Sequence, residues 1–215
     1  WVIGLLVGYW AALRFIPVPE FGAWDLEPGH TLTDYIDRLL VPGRLHEGNR
    51  DPEGILAIIP AIATALTGCL TGQWLRRDDV DGRKKSGFMA FAGFVCLGLA
   101  WLWNFDFPIN KNLWSSSFVL NCAGWSLLLL SLFYLVIDVW KFRKGTIFFT
   151  VIGANSILIF MAPKFLDFEH TNEKLFGGIL HFAGQYRDLL MDATLLAMLW
   201  CLLYLLYRKK IFLKV

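Results

Sequence analysis

Two short segments of this 215-residue chain concentrate the side chains that could do chemistry. The first reads Arg50-Asp51-Pro52-Glu53-Gly54 and runs straight into an apolar stretch. Asp51 and Glu53 can cap the helix that follows and meet its positive N-terminal dipole. The same two carboxylates can instead hold a polar, cationic or amino-bearing substrate at the mouth of a bundle. Pro52 and Gly54 fix the turn in either case. The second segment, residues 107–118, reads FPINKNLWSSSF. Lys111 can neutralise an anionic group, and Asn110 offers both a donor and an acceptor. A capped helical hairpin would account for the serines alone. Asn121, Asn155 and Asp192 lie inside apolar runs, where a polar side chain is costly and points inward. Interhelical hydrogen bonding explains each of the three, and for Asn155 a functional role stands beside it.

Other familiar chemistry lacks a handle. Cys69, Cys96, Cys122 and Cys201 show no C-x-x-C spacing and read as small packing residues. His30, His46, His170 and His181 lack metal-ligand spacing, so no metal is expected, while one His in acid–base work stays open. P-loop, dinucleotide-binding and serine-hydrolase motifs do not occur.

The elements that must position these residues follow from composition. Hydrophobic residues make up 56% and charged residues 18%, against roughly 45–50% and about 25% in soluble domains. Ten Trp and 18 Phe exceed what a soluble core of this size would hide. The net charge of +2 excludes a nucleic-acid protein driven by bulk charge. The expected fold is all-α, a polytopic transmembrane helix bundle. Apolar runs stand at residues 1–16, 55–75, 87–105, 114–137, 146–163 and 189–207. A span needs about 20 residues, with a floor of about 17, so five runs qualify and the first falls just short. Six spans are expected: one at 1–16, an extracytoplasmic loop at 17–54, and a five-helix bundle with short loops over 55–215. The chain starts at Trp1 with no basic leader and no cleavage site, and so reads as the C-terminal piece of a longer protein.

Orientation comes from Lys and Arg. Arg76, Arg77, Arg83, Lys84 and Lys85 follow the second run, Lys141, Arg143 and Lys144 the fourth, and Arg208, Lys209, Lys210 and Lys214 the last. That side is expected to be cytoplasmic, with both ends inside. The basic loops there could hold the phosphates of a nucleotide-like cofactor, although the positive-inside bias predicts the same residues. Residues 17–54 carry three Arg against eight acids and belong opposite. In the second run Ala57, Ala61, Ala65, Gly68 and Gly72 fall on one helical stripe, as Gly4 and Gly8 do in the first. Such a stripe permits close backbone approach, whether for packing within the subunit, a dimer interface or a substrate cleft. Pro60 is expected to bend its helix.

The motifs also resemble a known family. The stretches DPEGILAIIPAIATALTGCLTGQWL (51–75), FPINKNLWSSSFVLNCAGWSLLLLSLFYLVIDV (107–139), IGANSI (152–157) and LYRKKIFLKV (206–215) are similar, in order, to the heparan-α-glucosaminide N-acetyltransferase family and its bacterial homologues. Residues 1–50 match less well. The resemblance implies transfer of acetyl from cytoplasmic acetyl-CoA, the acetyl donor, to the amine of an extracytoplasmic amino sugar such as a terminal glucosamine. It implies a catalytic His upstream of this region. None of the four His here matches that motif, so the chain would be the non-catalytic C-terminal part. By motif position, Asp51, Glu53, Asn110, Lys111, Trp114 and Asn155 would shape the substrate and pantetheine path. A carboxylate can orient an ammonium before deprotonation, and Asn110 or Lys111 can serve a developing oxyanion. The implied partners are the lipid bilayer, an amino-sugar or heparan-like glycan, the upstream part of the same protein and a second copy in a homodimer. The expected setting is a bacterial inner membrane, with a lysosomal membrane as the alternative. Two rivals remain: a sugar transporter or exporter on the same bundle, and a non-catalytic membrane scaffold.

Overall fold

A computed structural model describes residues 1–48, 50–52 and 54–212. The described residues are helical apart from loops and two isolated β-bridges. They fall into two compact units, Trp1–Phe142 and Arg143–Val215.

The first unit holds α1 (Val2–Phe15), α2 (Leu32–Leu40), a 3-10 turn (Ile55–Ala57) leading into α3 (Ile58–Leu75), α4 (Gly82–Trp103) and α5 (Ser116–Phe133), which runs on as a π-helical turn (Tyr134–Val139). The apolar helices Ile55–Leu75, Gly82–Trp103 and Ser116–Val139 contain 21, 22 and 24 residues. At about 1.5 Å per residue each reaches the roughly 30 Å of a hydrocarbon core. With 14 residues, α1 is apolar but shorter than a span requires. Pro60 lies close to the start of α3. The helix begins at Ile58, which leaves Pro60 in the first turn, where its missing N–H has no intrahelical partner to lose.

Close helix packing lies elsewhere than the glycine spacing suggested. The tight seam joins α4 to α5. A Cβ on Gly93 would come within 3.0 Å of the Gly124 carbonyl, and one on Gly124 within 2.9 Å of the Gly93 carbonyl. Near the other end of the seam Ser86 Oγ donates to the Ser131 carbonyl (3.0 Å) and Ser131 Oγ donates to the Ser86 carbonyl (2.8 Å). These are small residues at a membrane-helix interface with hydroxyls as interhelical glue. By contrast, Gly4, Gly8, Gly68 and Gly72 have open space where a Cβ would stand. Ala61 and Ala65 are exposed, while Pro60 and Ala63 are the buried positions of α3. Of the expected stripe only Ala57, at the entry to α3, is buried within this unit. Its Gly68 and Gly72 line a shallow groove of about 340 Å³ against Cys122 and Ser126 of α5.

The second unit departs further from the expectation. The fifth apolar run is two helices, α6 (Thr146–Ala154) and α7 (Ser156–Phe165), bent by 61°. The break is Asn155, whose φ of −135° and ψ of 37° leave the helical region. Its side chain is buried, and Nδ2 donates to the Ile211 carbonyl at 3.1 Å. Residues 164–188, the connection between the last two apolar runs, contain α8 (Phe168–Leu180) and a 3-10 segment (His181–Tyr186) before α9 (Arg187–Arg208). Asp167 starts α8 by accepting from the His170 N–H at 2.8 Å, and Asn172 on its buried face donates to the Met191 carbonyl at 2.9 Å. The described residues thus provide four helices long and apolar enough to cross a membrane, or five with the bent pair taken as one span, against six expected.

Candidate substrate site

Among its described residues the acidic segment 17–54 is a structured cap, not an open loop. The order T-L-T-D supplies a capping box at the start of α2: Thr31 Oγ1 accepts from the Asp34 N–H at 3.2 Å, and Asp34 Oδ2 accepts from the Thr31 N–H at 3.3 Å. Asp34 Oδ2 also accepts from the Gly29 N–H (3.0 Å) and from Thr31 Oγ1 (2.6 Å), and Arg38 donates to the Gly29 carbonyl (2.6 Å). Ahead of α2, His30 stacks on Phe21 with ring centroids 3.9 Å apart and pairs with Asp25 at 2.9 Å. The Glu27 N–H, followed by His30, holds the Asp25 carboxyl below its usual range.

The cap is anchored by an apolar cluster of Tyr9 and Leu13 from α1, Val18 and Leu32 from the cap, and Phe107 and Leu113 from the α4–α5 loop. Tyr9 donates its hydroxyl to the Leu113 carbonyl at 2.6 Å, and Trp10 donates its indole N–H to Asp106 at 2.7 Å. The cap and the 107–114 loop therefore lie at one end of this unit.

At that end the candidates can be located one by one. Asp51, half-buried, lines a polar cleft of about 420 Å³ with His46, Glu47 and Pro52. Beside it Arg50 pairs with Glu47 at 2.5 Å. Glu53 lies outside the described residues. Asn110, Lys111 and Trp114 share one turn. Asn110 Oδ1 accepts from the N–H groups of Asn112 (2.9 Å) and Leu113 (3.3 Å). Ser115 accepts from the Asn110 and Phe118 N–H groups and donates to the Pro108 carbonyl at 2.8 Å. This is a self-capped hairpin, and it explains Asn110 and Ser115 by local hydrogen bonding, while Ser116 donates its hydroxyl to the Leu6 carbonyl of α1 at 2.7 Å. Lys111 is exposed on the same turn. Trp114 holds a left-handed φ of 51° and points its indole N–H at Thr64 of α3, 3.4 Å away. Asn155 belongs to the second unit, where it forms the helix break.

Two residues of this end escaped the sequence reading. Asp37 on α2 is fully buried, and its Oδ1 accepts the Ile55 N–H at 2.8 Å. The entry to α3 is thus capped from 18 residues upstream, and Gly54 at the N-cap position adds no side-chain bond. Burial pushes the Asp37 carboxyl above its usual range, and Asp51 and Asp34 push the same way, against the pull of the Ile55 N–H. Tyr9 is the second. Only its aromatic character was visible in the sequence, since a long-range hydroxyl bond has no local signal. Among the described residues no three His, Cys, Asp or Glu gather to hold a metal ion.

Several apolar helices and this polar end define a polytopic α-helical integral membrane protein. Over 249 aligned residues, taking in 100% of it, the chain is 32% identical to the heparan-alpha-glucosaminide N-acetyltransferase of Homo sapiens. It is 32% identical to the enzyme of the same name from Mus musculus over 98% of its length. The chain is therefore a relative of the heparan-α-glucosaminide N-acetyltransferases, as the motifs implied. It spans 36% of the length of each of these curated relatives. No protein-family model matches it.

Proposed function

We propose that this chain is the C-terminal, non-catalytic part of a transmembrane acetyltransferase, one that moves acetyl from cytoplasmic acetyl-CoA to the amine of an extracytoplasmic amino sugar such as a terminal glucosamine. The observation that carries this reading is similarity along the whole chain to two proteins named as glucosaminide N-acetyltransferases. The acid-lined cleft at Asp51 supports it, because it is a polar recess at the end of an otherwise apolar unit.

In this reading the end bearing the cap faces the extracytoplasmic side and the basic loops face the cytoplasm. Asp51 draws and orients the sugar ammonium, a base from the upstream part of the protein takes its proton, and the neutral amine then attacks the acetyl carbonyl and passes a second proton to the leaving thiolate. The N–C bond forms, the thioester C–S bond breaks, and the thiolate leaves to be protonated. Lys111 serves the negative charge that develops on the carbonyl oxygen, and the Trp114 ring borders the path. On the basic side Lys85 is committed elsewhere, since its ammonium donates to the Leu75 carbonyl at 2.8 Å and closes the end of α3. Arg83 and Lys84 are exposed there and available to a diphosphate.

The test uses the intact protein in proteoliposomes with labelled acetyl-CoA and glucosaminides. Labelled N-acetyl product is the expected result. Uptake of the glucosaminide without acetylation would replace this reading with a sugar transporter.

A further inference from the structure

Asp37 poses a problem that neither the helix-capping account nor the acetyltransferase reading resolves. Its carboxyl is 0% exposed. One oxygen accepts the Ile55 N–H at 2.8 Å, and among the described residues the other, Oδ2, has no hydrogen-bond partner. A buried polar atom left unpaired costs about 1–3 kcal/mol, so a serine or asparagine cap would be the cheaper way to start α3. The carboxyl also presses on Gly54, where any Cβ would run into Oδ2. Only glycine lets the backbone approach this closely. Asp37 and Gly54 are thus two halves of one fitted contact between the cap and the turn that opens α3.

That turn is the one carrying Asp51. The Gly54 N–H donates to the Asp51 carbonyl at 3.2 Å, and the Ala57 N–H to the Gly54 carbonyl at 3.1 Å. Fixing Gly54 and Ile55 therefore fixes the stretch that places Asp51 and Pro52 on the wall of the cleft. We propose that Asp37 is a positioning residue for the acceptor site: its carboxyl, seated against Gly54 and bonded to Ile55, locks α2 to the mouth of α3 and holds Asp51 at the angle that receives the amino sugar. The proposal rests on the reading of Asp51 as the amine-binding carboxylate.

The surrounding charges give the lock a pH dependence. Among the described residues the titratable groups that act on Asp37 include Asp34 on its own helix, Asp51 in the turn and Tyr9 from α1. Burial and these acids favour the protonated carboxyl. A carboxyl whose acidity is weakened in the folded state stabilises fully below its unfolded pKa, and loses that contribution as pH rises through the folded value. The lock is therefore firm in acid and loosens as the pH climbs.

Four variants of the intact protein in proteoliposomes test this: Asp37→Ala, Gly54→Ala, the two combined, and Asp37→Asn. Acceptor kinetics with labelled acetyl-CoA are read beside limited proteolysis of residues 41–52. Asp37→Ala and Gly54→Ala should each raise KM for the glucosaminide about tenfold with kcat within about twofold, and should speed cleavage of the cap. The double variant should be no worse than either single change, because the new Cβ enters the space the carboxylate vacated. If Gly54→Ala alone fails to fold, its rescue by Asp37→Ala makes the same point. Asp37→Asn keeps an acceptor for Ile55, should restore KM and should flatten its rise with pH. Unchanged KM and unchanged proteolysis in Asp37→Ala would overturn the proposal, and so would strictly additive damage in the double variant. If the wild-type protein acetylates no amino sugar, the enzyme reading fails, while proteolysis of the same variants still decides whether Asp37 and Gly54 lock the cap.

Discussion

Two polar turns sit at the same end of the first unit and solve the same problem in opposite ways. The 107–118 turn supplies its own caps: Asn110 and Ser115 between them take the N–H groups of Asn112, Leu113, Asn110 and Phe118 and the Pro108 carbonyl. The capping partners of Asn110 and Ser115 all lie within seven residues, while separate bonds from the Tyr9 hydroxyl to the Leu113 carbonyl and from the Ser116 hydroxyl to the Leu6 carbonyl tie the turn to α1. The turn at Gly54 borrows its cap from Asp37, 18 residues away on a separate helix, and leaves one carboxylate oxygen without a hydrogen bond among the described residues. Self-supplied caps report only on local sequence. A borrowed cap couples a helix entry to a whole subdomain, and the coupling is what a binding site can use.

The contrast can be broken by mutation. The largest effect should come from Gly54→Ala, which forces a methyl into the Asp37 carboxyl; overpacking of this kind costs about 3 kcal/mol, read as a lowered melting temperature in detergent. Next is Ser115→Ala, which removes the N-cap of α5 and strands the Pro108 carbonyl and Asn110 N–H. It should cost about 2 kcal/mol while speeding cleavage of the 17–54 cap less than Gly54→Ala does, since the bonds it removes lie within its own turn. Asp51→Asn and Lys111→Ala should each lower turnover about tenfold, about 1.4 kcal/mol of transition-state stabilisation, with the melting temperature unaltered. A loss of stability instead of turnover in either would make that residue structural. The smallest effect is that of Asp37→Asn on stability. The variant and the wild type should melt together in acid, with the variant gaining as pH rises through the raised Asp37 pKa, because the asparagine cannot ionise. A gain at low pH instead would reverse the assigned direction.

Much of the helical frame was legible in the chain. The run 55–75 coincides with the helix Ile55–Leu75, and the runs at 87–105, 114–137 and 189–207 fall within a few residues of α4, α5 with its π-helical turn, and α9. Continuous apolar length is a property of the sequence alone. What lay beyond it were features decided by tertiary partners. The small residues of α3 mark a face but not what it faces, and Gly93 and Gly124, 31 positions apart, took the close contact instead. The polar residues of 164–188 hid α8, whose buried face depends on Asn172 meeting the Met191 carbonyl. Of the candidate site, the self-capped turn was readable because its capping bonds are local. Asp37 was not, because nothing in Tyr35-Ile36-Asp37-Arg38 reveals which acid will be enclosed.

The bend at Asn155 reaches beyond packing into how the protein is made. With 9 and 10 residues, α6 and α7 each rise only about 14–15 Å, half of the roughly 30 Å hydrocarbon core. Neither half can be committed to the bilayer alone, so insertion must treat the pair as a single event, and a 61° bend sets whether that event is a crossing or a return. Everything downstream inherits the parity of that step, including the side on which Arg208 and Lys209 emerge. One buried asparagine thus acts on the topological accounting of the chain's final helix, and a substitution there that straightened the pair would be felt first in biogenesis.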